Sequence, residues 1–227
     1  MKIDAVLFDL DDTLYLEADF FRGGFAAVAR RLEALGCGPA DALAEQLYDI
    51  HWNESRPRVF NVAAERIGFP ESLIPELANL VREHVPQIHL ADDARALLTQ
   101  LRGRFPLGCV TDGHAAVQRR KIEALAVEPL LDTIIVADEL GRDFWKPDPR
   151  VFLECCRRLG AAPERSLFVG DNPERDLRGA AAAGLVSVRL KRPGGYFATH
   201  AGADDVADFE IESLEQLSQL LPLQAMP

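Results

Sequence analysis

Five short apolar runs, Ala5–Asp9, Pro106–Thr111, Thr133–Ala137, Ser166–Gly170 and Val186–Leu190, lead into polar or acidic residues. They are continuous rather than alternating, which suits strands buried on both faces of a parallel sheet. Between and after them, Asp92–Leu101, Ala115–Leu125, Pro149–Leu159 and Pro173–Ala183 carry helical spacing. Strands alternating with helices of this length predict right-handed βαβ units, and hence an α/β protein with a doubly wound parallel sheet.

The alternation stops between Phe20 and His89, where the pattern is Ala- and Leu-rich, helical throughout and without a convincing strand. Gly36-Cys37-Gly38-Pro39, Arg56-Pro57 and Phe69-Pro70 interrupt it where glycine and proline end helices, which predicts roughly four of them. The expected organisation is a core from residues 1–16 and 90–227 with an inserted all-helical subdomain over 17–89.

Nearly half the 227 residues are hydrophobic, enough for a substantial core. The formal net charge of -11 argues against nucleic acid and membrane surfaces as partners, since both demand a basic face. It also means that any anionic substrate needs local positive charge, from a lysine or a metal ion. Cys37, Cys109, Cys155 and Cys156 form no CxxC pair and read as free thiols. The N-terminus lacks a signal-like apolar region, so a cytoplasmic protein is expected.

Four places carry candidate chemistry. The first run ends in Asp9-Leu10-Asp11-Asp12-Thr13, delivering carboxylates to the carboxyl edge of a sheet, where open α/β folds bind ligands. In Val110-Thr111-Asp112-Gly113 a hydroxyl and backbone N–H groups at a helix start can hold a phosphate oxygen, although Thr111 or Asp112 can equally cap that helix. In Lys146-Pro147-Asp148-Pro149 a fixed ammonium would offset phosphate charge; alone, such a lysine is usually solvated surface. Gly170-Asp171-Asn172-Pro173-Glu174-Arg175-Asp176 places two aspartates across a helix start, as magnesium ligands or as a cap and an exposed acid. Each signal alone is weak, and their conjunction at successive strand ends is what points to a site.

Taken together, DLDDT, Thr111 in VTDG, Lys146 in KPDP and GDNPERD resemble the four motifs of the haloacid dehalogenase superfamily of hydrolases. The resemblance covers about Met1–Leu16 and Leu90–Ile211, and implies a Rossmann-like core with a helical cap inserted after the first motif. By resemblance Asp9 is the nucleophile and Asp11 the acid/base; Thr111, Asp112 and Lys146 bind the substrate phosphate; Asp9, the Asp11 carbonyl and Asp171 hold Mg2+; and Asp176 supports them. The function implied is a magnesium-dependent phosphatase for a small phosphorylated metabolite, working through an aspartyl-phosphate. Asp11 argues against halide displacement, which needs no proton donor. Asp112 departs from the asparagine common at that position. A phosphomutase, or a silent binding protein retaining the fold, are the alternatives; oligomeric state is left open. Candidate substrate contacts are Tyr15, Phe20, Phe21, Arg22, His51, Trp52, Asn53 and Arg56, with Trp145 and the stretch Lys191–Tyr196 as possible borders of the site.

Overall fold

A computed structural model describes residues 2–199 and 207–221. Along the chain, β1 (Ala5–Phe8) is followed by α1 (Glu17–Ala34), α2 (Ala40–Asp49), α3 (Val59–Ile67) and α4 (Ile74–Glu83). Then come α5 (Asp92–Leu101), β2 (Leu107–Thr111), α6 (Ala115–Leu125), β3 (Thr133–Val136), α7 (Pro149–Leu159) and β4 (Ser166–Gly170). The chain continues through α8 (Arg178–Ala182), β5 (Val186–Leu190), α9 (Tyr196–Thr199), β6 (Phe209–Ile211) and α10 (Leu217–Leu220). Two compact units result, one from Met1–Glu17 and His89–Pro227, the other from Ala18–Ile88.

The first unit is built on a six-stranded parallel sheet in the order β3-β2-β1-β4-β5-β6. The chain steps outward from β1 to β2 and β3, then crosses to β4 on the other side. The carboxyl ends of β1, β2 and β4 therefore meet where strand order reverses, the place open α/β sheets use for ligands. Side chains alternate across the sheet, so Ala5, Leu7, Val110, Ile135 and Phe168 share a face with Val151, Phe152, Cys155 and Cys156 of α7. Phe152 and Phe168 meet edge to face with centroids 4.8 Å apart. The Asp148 carboxylate caps α7 by accepting the Arg150 N–H at 2.9 Å, and Pro149 supplies its first position.

The structure departs from the sequence reading at several elements. β1 and β3 each end one residue early and β2 begins one residue late, although the Asp9 N–H still donates to the Val169 carbonyl at 2.9 Å. The helix expected over Pro173–Ala183 is a wider π-type turn over Pro173–Leu177 that then tightens into α8. The sixth strand, Phe-Glu-Ile, went unpredicted because a three-residue edge strand with two exposed positions leaves no apolar run.

The second unit is helical throughout. Phe25, Val28 and Leu32 of α1, Leu47 of α2, Phe60 and Ala63 of α3 and Leu77 of α4 are buried. α1 and α4 approach closely at Gly24, where an added Cβ would stand 2.9 Å from Val81 Cγ1. α2 runs into a π-type turn over Ile50–Glu54, which turns His51 inward with its ring 4.0 Å from that of Phe21. Among the described residues no helix is long and apolar enough to cross a membrane. All four cysteines are free.

Burial, reinforced by the Arg56 guanidinium whose Nε donates to His51 Nε2 at 3.2 Å, lowers the His51 pKa to about 3. A histidine depressed in the fold binds its proton more weakly there than in the unfolded chain. Its contribution to stability is complete above the unfolded value near 6.5 and is lost as pH falls toward 3. Between pH 6.5 and 5, wild type should lose about 2 kcal/mol relative to His51→Gln, read from urea midpoints at each pH. Parallel pH profiles for the two proteins would disprove the neutral, buried imidazole.

Candidate active site

Two strand ends and one turn deliver three of the acids. Asp9 follows β1 and Asp171 follows β4, both nearly inaccessible. Asp176 returns from the π-type turn, and one ligand atom from each of the three lies within 4.8 Å of the others. Gly170 makes that return possible, because a Cβ there would stand 2.5 Å from Asp176 Oδ2. Asn172 caps the turn, its Oδ1 accepting the N–H groups of Glu174 at 3.0 Å and Arg175 at 3.1 Å. Asp176 Oδ2 in turn accepts the Asn172 N–H at 3.1 Å. Asn172 therefore caps, whereas Asp176, only 1% exposed, is no surface acid.

Lys146 is likewise no surface lysine. Its Nζ lies 2.5 Å from Asp9 Oδ1, 2.6 Å from Asp176 Oδ1 and 3.3 Å from the Val110 carbonyl. Burial alone would lower the Lys146 pKa, but Asp176, Asp9 and Asp112 carry it well above its ordinary value. Burial drives Asp9 well above the usual carboxylate range; Lys146 opposes this, while Asp176 and Asp11 add to it. Asp171 is raised by burial and then by Asp176, Asp9 and Asp12. Three buried carboxylates thus face one ammonium, leaving an excess of negative charge that a cation would offset. Hard oxygen donors at this spacing fit a divalent metal ion.

At the end of β2, Thr111 is buried and its Oγ1 accepts from Gln118 Nε2 at 2.5 Å. Neither Thr111 nor Asp112 caps α6. Asp138 does so from beyond β3, accepting the Ala115 N–H at 3.0 Å. Asp112 Oδ1 instead accepts the Lys146 backbone N–H at 3.2 Å, and Asp112 Oδ2 lies 3.9 Å from Arg175. Burial raises the Asp112 pKa against the pull of Lys146.

Asp11 has its own set of partners. Its Oδ1 accepts from Lys121 Nζ at 2.7 Å and from the Tyr15 hydroxyl, and its Oδ2 accepts from Gln118 Nε2 at 3.0 Å. Burial would raise this carboxyl, but Lys121, by charge and hydrogen bond, with Tyr15 and Gln118, brings it below the ordinary value. Asp12 points elsewhere and secures the loop, accepting the N–H groups of Glu17 and Tyr196, each at 2.9 Å. Burial and Glu17 raise its pKa to about 6. Arg192, in the stretch Lys191–Tyr196 offered as a border of the site, completes the clasp as a buried brace, donating to the Thr13 carbonyl at 2.8 Å and to Asp93 at 3.0 Å.

The five acids, the hydroxyl and the lysine singled out in the sequence therefore all lie in the first unit, around the ends of β1, β2 and β4. Tyr15 joins them. Phe21, His51, Trp52 and Arg56 form a cluster of their own in the second unit, the Arg56 guanidinium 5.6 Å from the Phe21 ring and 5.8 Å from that of Trp52. Asp12 and Arg192 stand in stretches that the sequence singles out, without a role of their own, whereas Gln118, Lys121 and Asp138 are not among its candidates. A signal existed for two of them: Gln118 and Lys121 occupy the same α6 stripe as buried Ile122 and Leu125, so two polar residues sit at core positions.

Residues 3–184 match the model of the haloacid dehalogenase-like hydrolases. The chain is 34% identical over 225 residues to a glyceraldehyde 3-phosphate phosphatase of Methanopyrus kandleri, covering 95% of each chain. It is 31% identical over 206 residues to the human N-acylneuraminate-9-phosphatase, covering 81% of this chain and 80% of that one. In fold it is similar to the magnesium-bound HAD-hydrolase YfnB of Bacillus subtilis, with a TM-score of 0.72 and 23% identity over 98% of this chain and all of the other.

Proposed function

The chain belongs to the haloacid dehalogenase-like hydrolase family and is a phosphoric monoester hydrolase; on that premise we propose that it is a magnesium-dependent phosphatase forming an aspartyl-phosphate on Asp9. The observation that carries this reading is the buried Asp9–Lys146–Asp176 array beside Asp171, an excess of negative charge with one lysine to offset it. Asp9, Asp171 and the backbone carbonyl of Asp11 would hold Mg2+, which when bound supplies positive charge to the phosphate oxygens.

Asp9 is the nucleophile. Lys146 holds its carboxylate and lowers the repulsion between two anions, which amounts to several kcal/mol in a partly buried site. Thr111 and the backbone beyond β2 bind the phosphate, and Asp112 acts there by fixing the backbone of Lys146. Asp11 moves the proton, to the departing oxygen in the first step and from water in the second. Asp176 fixes Lys146 and the turn that carries Asp171. The helical unit serves as the cap that selects a small phosphorylated metabolite. The two phosphatase relatives make sugar-like phosphates the first candidates.

Purified protein should release inorganic phosphate from p-nitrophenyl phosphate and, faster, from a substrate within a panel including glyceraldehyde 3-phosphate and N-acylneuraminate 9-phosphate. EDTA should stop this release and added Mg2+ restore it. Undiminished release in EDTA would rule out the metal requirement. Consumption of a phosphorylated substrate without free phosphate would indicate a phosphomutase.

A further inference from the structure

Gln118 and Lys121 stand one turn apart on α6, almost completely buried, and lie outside all four sequence motifs. Together with Tyr15 they place three donors on the Asp11 carboxylate. An ionised carboxylate offers about four acceptor directions, two on each oxygen. The Tyr15 hydroxyl and Lys121 Nζ occupy Oδ1, and Gln118 Nε2 takes one direction on Oδ2. One acceptor direction remains, on Oδ2. That oxygen is tied to the phosphate-binding side, since the same Gln118 Nε2 also donates to Thr111 Oγ1 at 2.5 Å. The turn before α6 is shaped to admit Gln118: Gly113 has φ +125°, and a Cβ there would crowd the Gln118 amide at 3.2 Å.

Resting on the phosphatase reading above, we propose that Tyr15, Gln118 and Lys121 are positioning residues that aim the single open acceptor direction of Asp11 at the water that hydrolyses the aspartyl-phosphate. In that step the water oxygen forms a bond to phosphorus and the bond from phosphorus to the Asp9 oxygen breaks. Its electron pair returns to Asp9 as carboxylate, and the water proton goes to Asp11 Oδ2. Inorganic phosphate leaves. The bracket serves this second half-reaction, in which Asp11 Oδ2, the oxygen with the open direction, receives the water proton; donation to the leaving oxygen in the first step uses the same direction.

The test uses p-nitrophenyl phosphate, whose leaving group departs without a proton, in rapid-quench and steady-state assays of the full chain. Lys121→Met should lower kcat about 30- to 100-fold, within the range of positioned acid–base catalysis, while KM falls in step and kcat/KM stays within about threefold of wild type. A burst of nitrophenol equal to the enzyme concentration should appear, with acid-stable phosphoenzyme accumulating. Tyr15→Phe removes one hydroxyl from the same carboxylate and should show the same pattern at about 5- to 10-fold; it decides the matter alone if Lys121→Met does not fold. A kcat that falls at constant KM without a burst, as from a partly misfolded population, overturns the proposal. So does turnover equal to wild type in both variants. Failure of wild type to release phosphate from any substrate is a separate result, read before any variant, and removes the phosphatase reading itself.

Discussion

Asp9→Asn should cut phosphate release by about 10⁴-fold or more, the scale on which removing a nucleophile acts, while leaving the protein at least as stable as wild type in EDTA at pH 7.5. Asparagine keeps the shape of the side chain and an oxygen for Lys146, but its amide oxygen does not attack phosphorus. The stability half of the expectation follows from the charge at the end of β1. Burial raises the Asp9 pKa, and a carboxyl raised in the fold contributes stability that is complete below its unfolded value and lost as pH rises through the folded one. At pH 7.5 an ionised Asp9 beside Asp176 and Asp171 is therefore a cost to the fold that a neutral isostere removes. Thermal unfolding of both proteins with phosphate assays on the same samples reads the two halves together. Release that survives the substitution would displace Asp9 as nucleophile, and a sharply lower Tm would show that its charge is needed for folding.

The residues at the ends of β1, β2 and β4 were legible in sequence because each terminates a continuous apolar run, and strand ends are the one place where such a run dictates where the next side chain must be. The insertion was legible for a related reason, the loss of the strand–helix alternation between Phe20 and His89. What escaped lay where position depends on tertiary contact. β6 carries Phe209-Glu210-Ile211 and owes its existence to pairing with β5, not to its own pattern. Asp176 is singled out in the sequence, but its burial depends on the π-type turn and on the missing side chain of Gly170, neither of which the pattern shows. Lys121 pairs with Asp11 across more than a hundred residues, and only its place in the apolar stripe of α6 hints at burial. Asp112 looked like a phosphate-side charge; its carboxylate accepts the backbone N–H of Lys146 instead.

Lys146→Met should destabilise the protein by about 3–5 kcal/mol at pH 7.5 in EDTA, because it removes the ammonium from a buried pair and strands the carboxylates around it. Methionine fills similar space, so the loss reports charge rather than a cavity. The pH dependence fixes the cause. Without Lys146 the Asp9 and Asp171 carboxyls, already raised by burial, lose the ammonium that opposes the shift, so their favourable, protonated state is complete at low pH and lost as pH rises. The deficit relative to wild type should accordingly shrink between pH 7.5 and 5, measured as paired urea midpoints. Phosphate release should fall about 10²- to 10³-fold even where the variant is folded, as for loss of one fixed charge at a developing anion. Adding Asp9→Asn to Lys146→Met should recover part of the lost stability and none of the activity, since the two side chains are in contact and their effects cannot be independent. Strict additivity of the two stability changes would mean that Asp9 and Lys146 do not interact as ions, and the charge-based account of the site would fall with it.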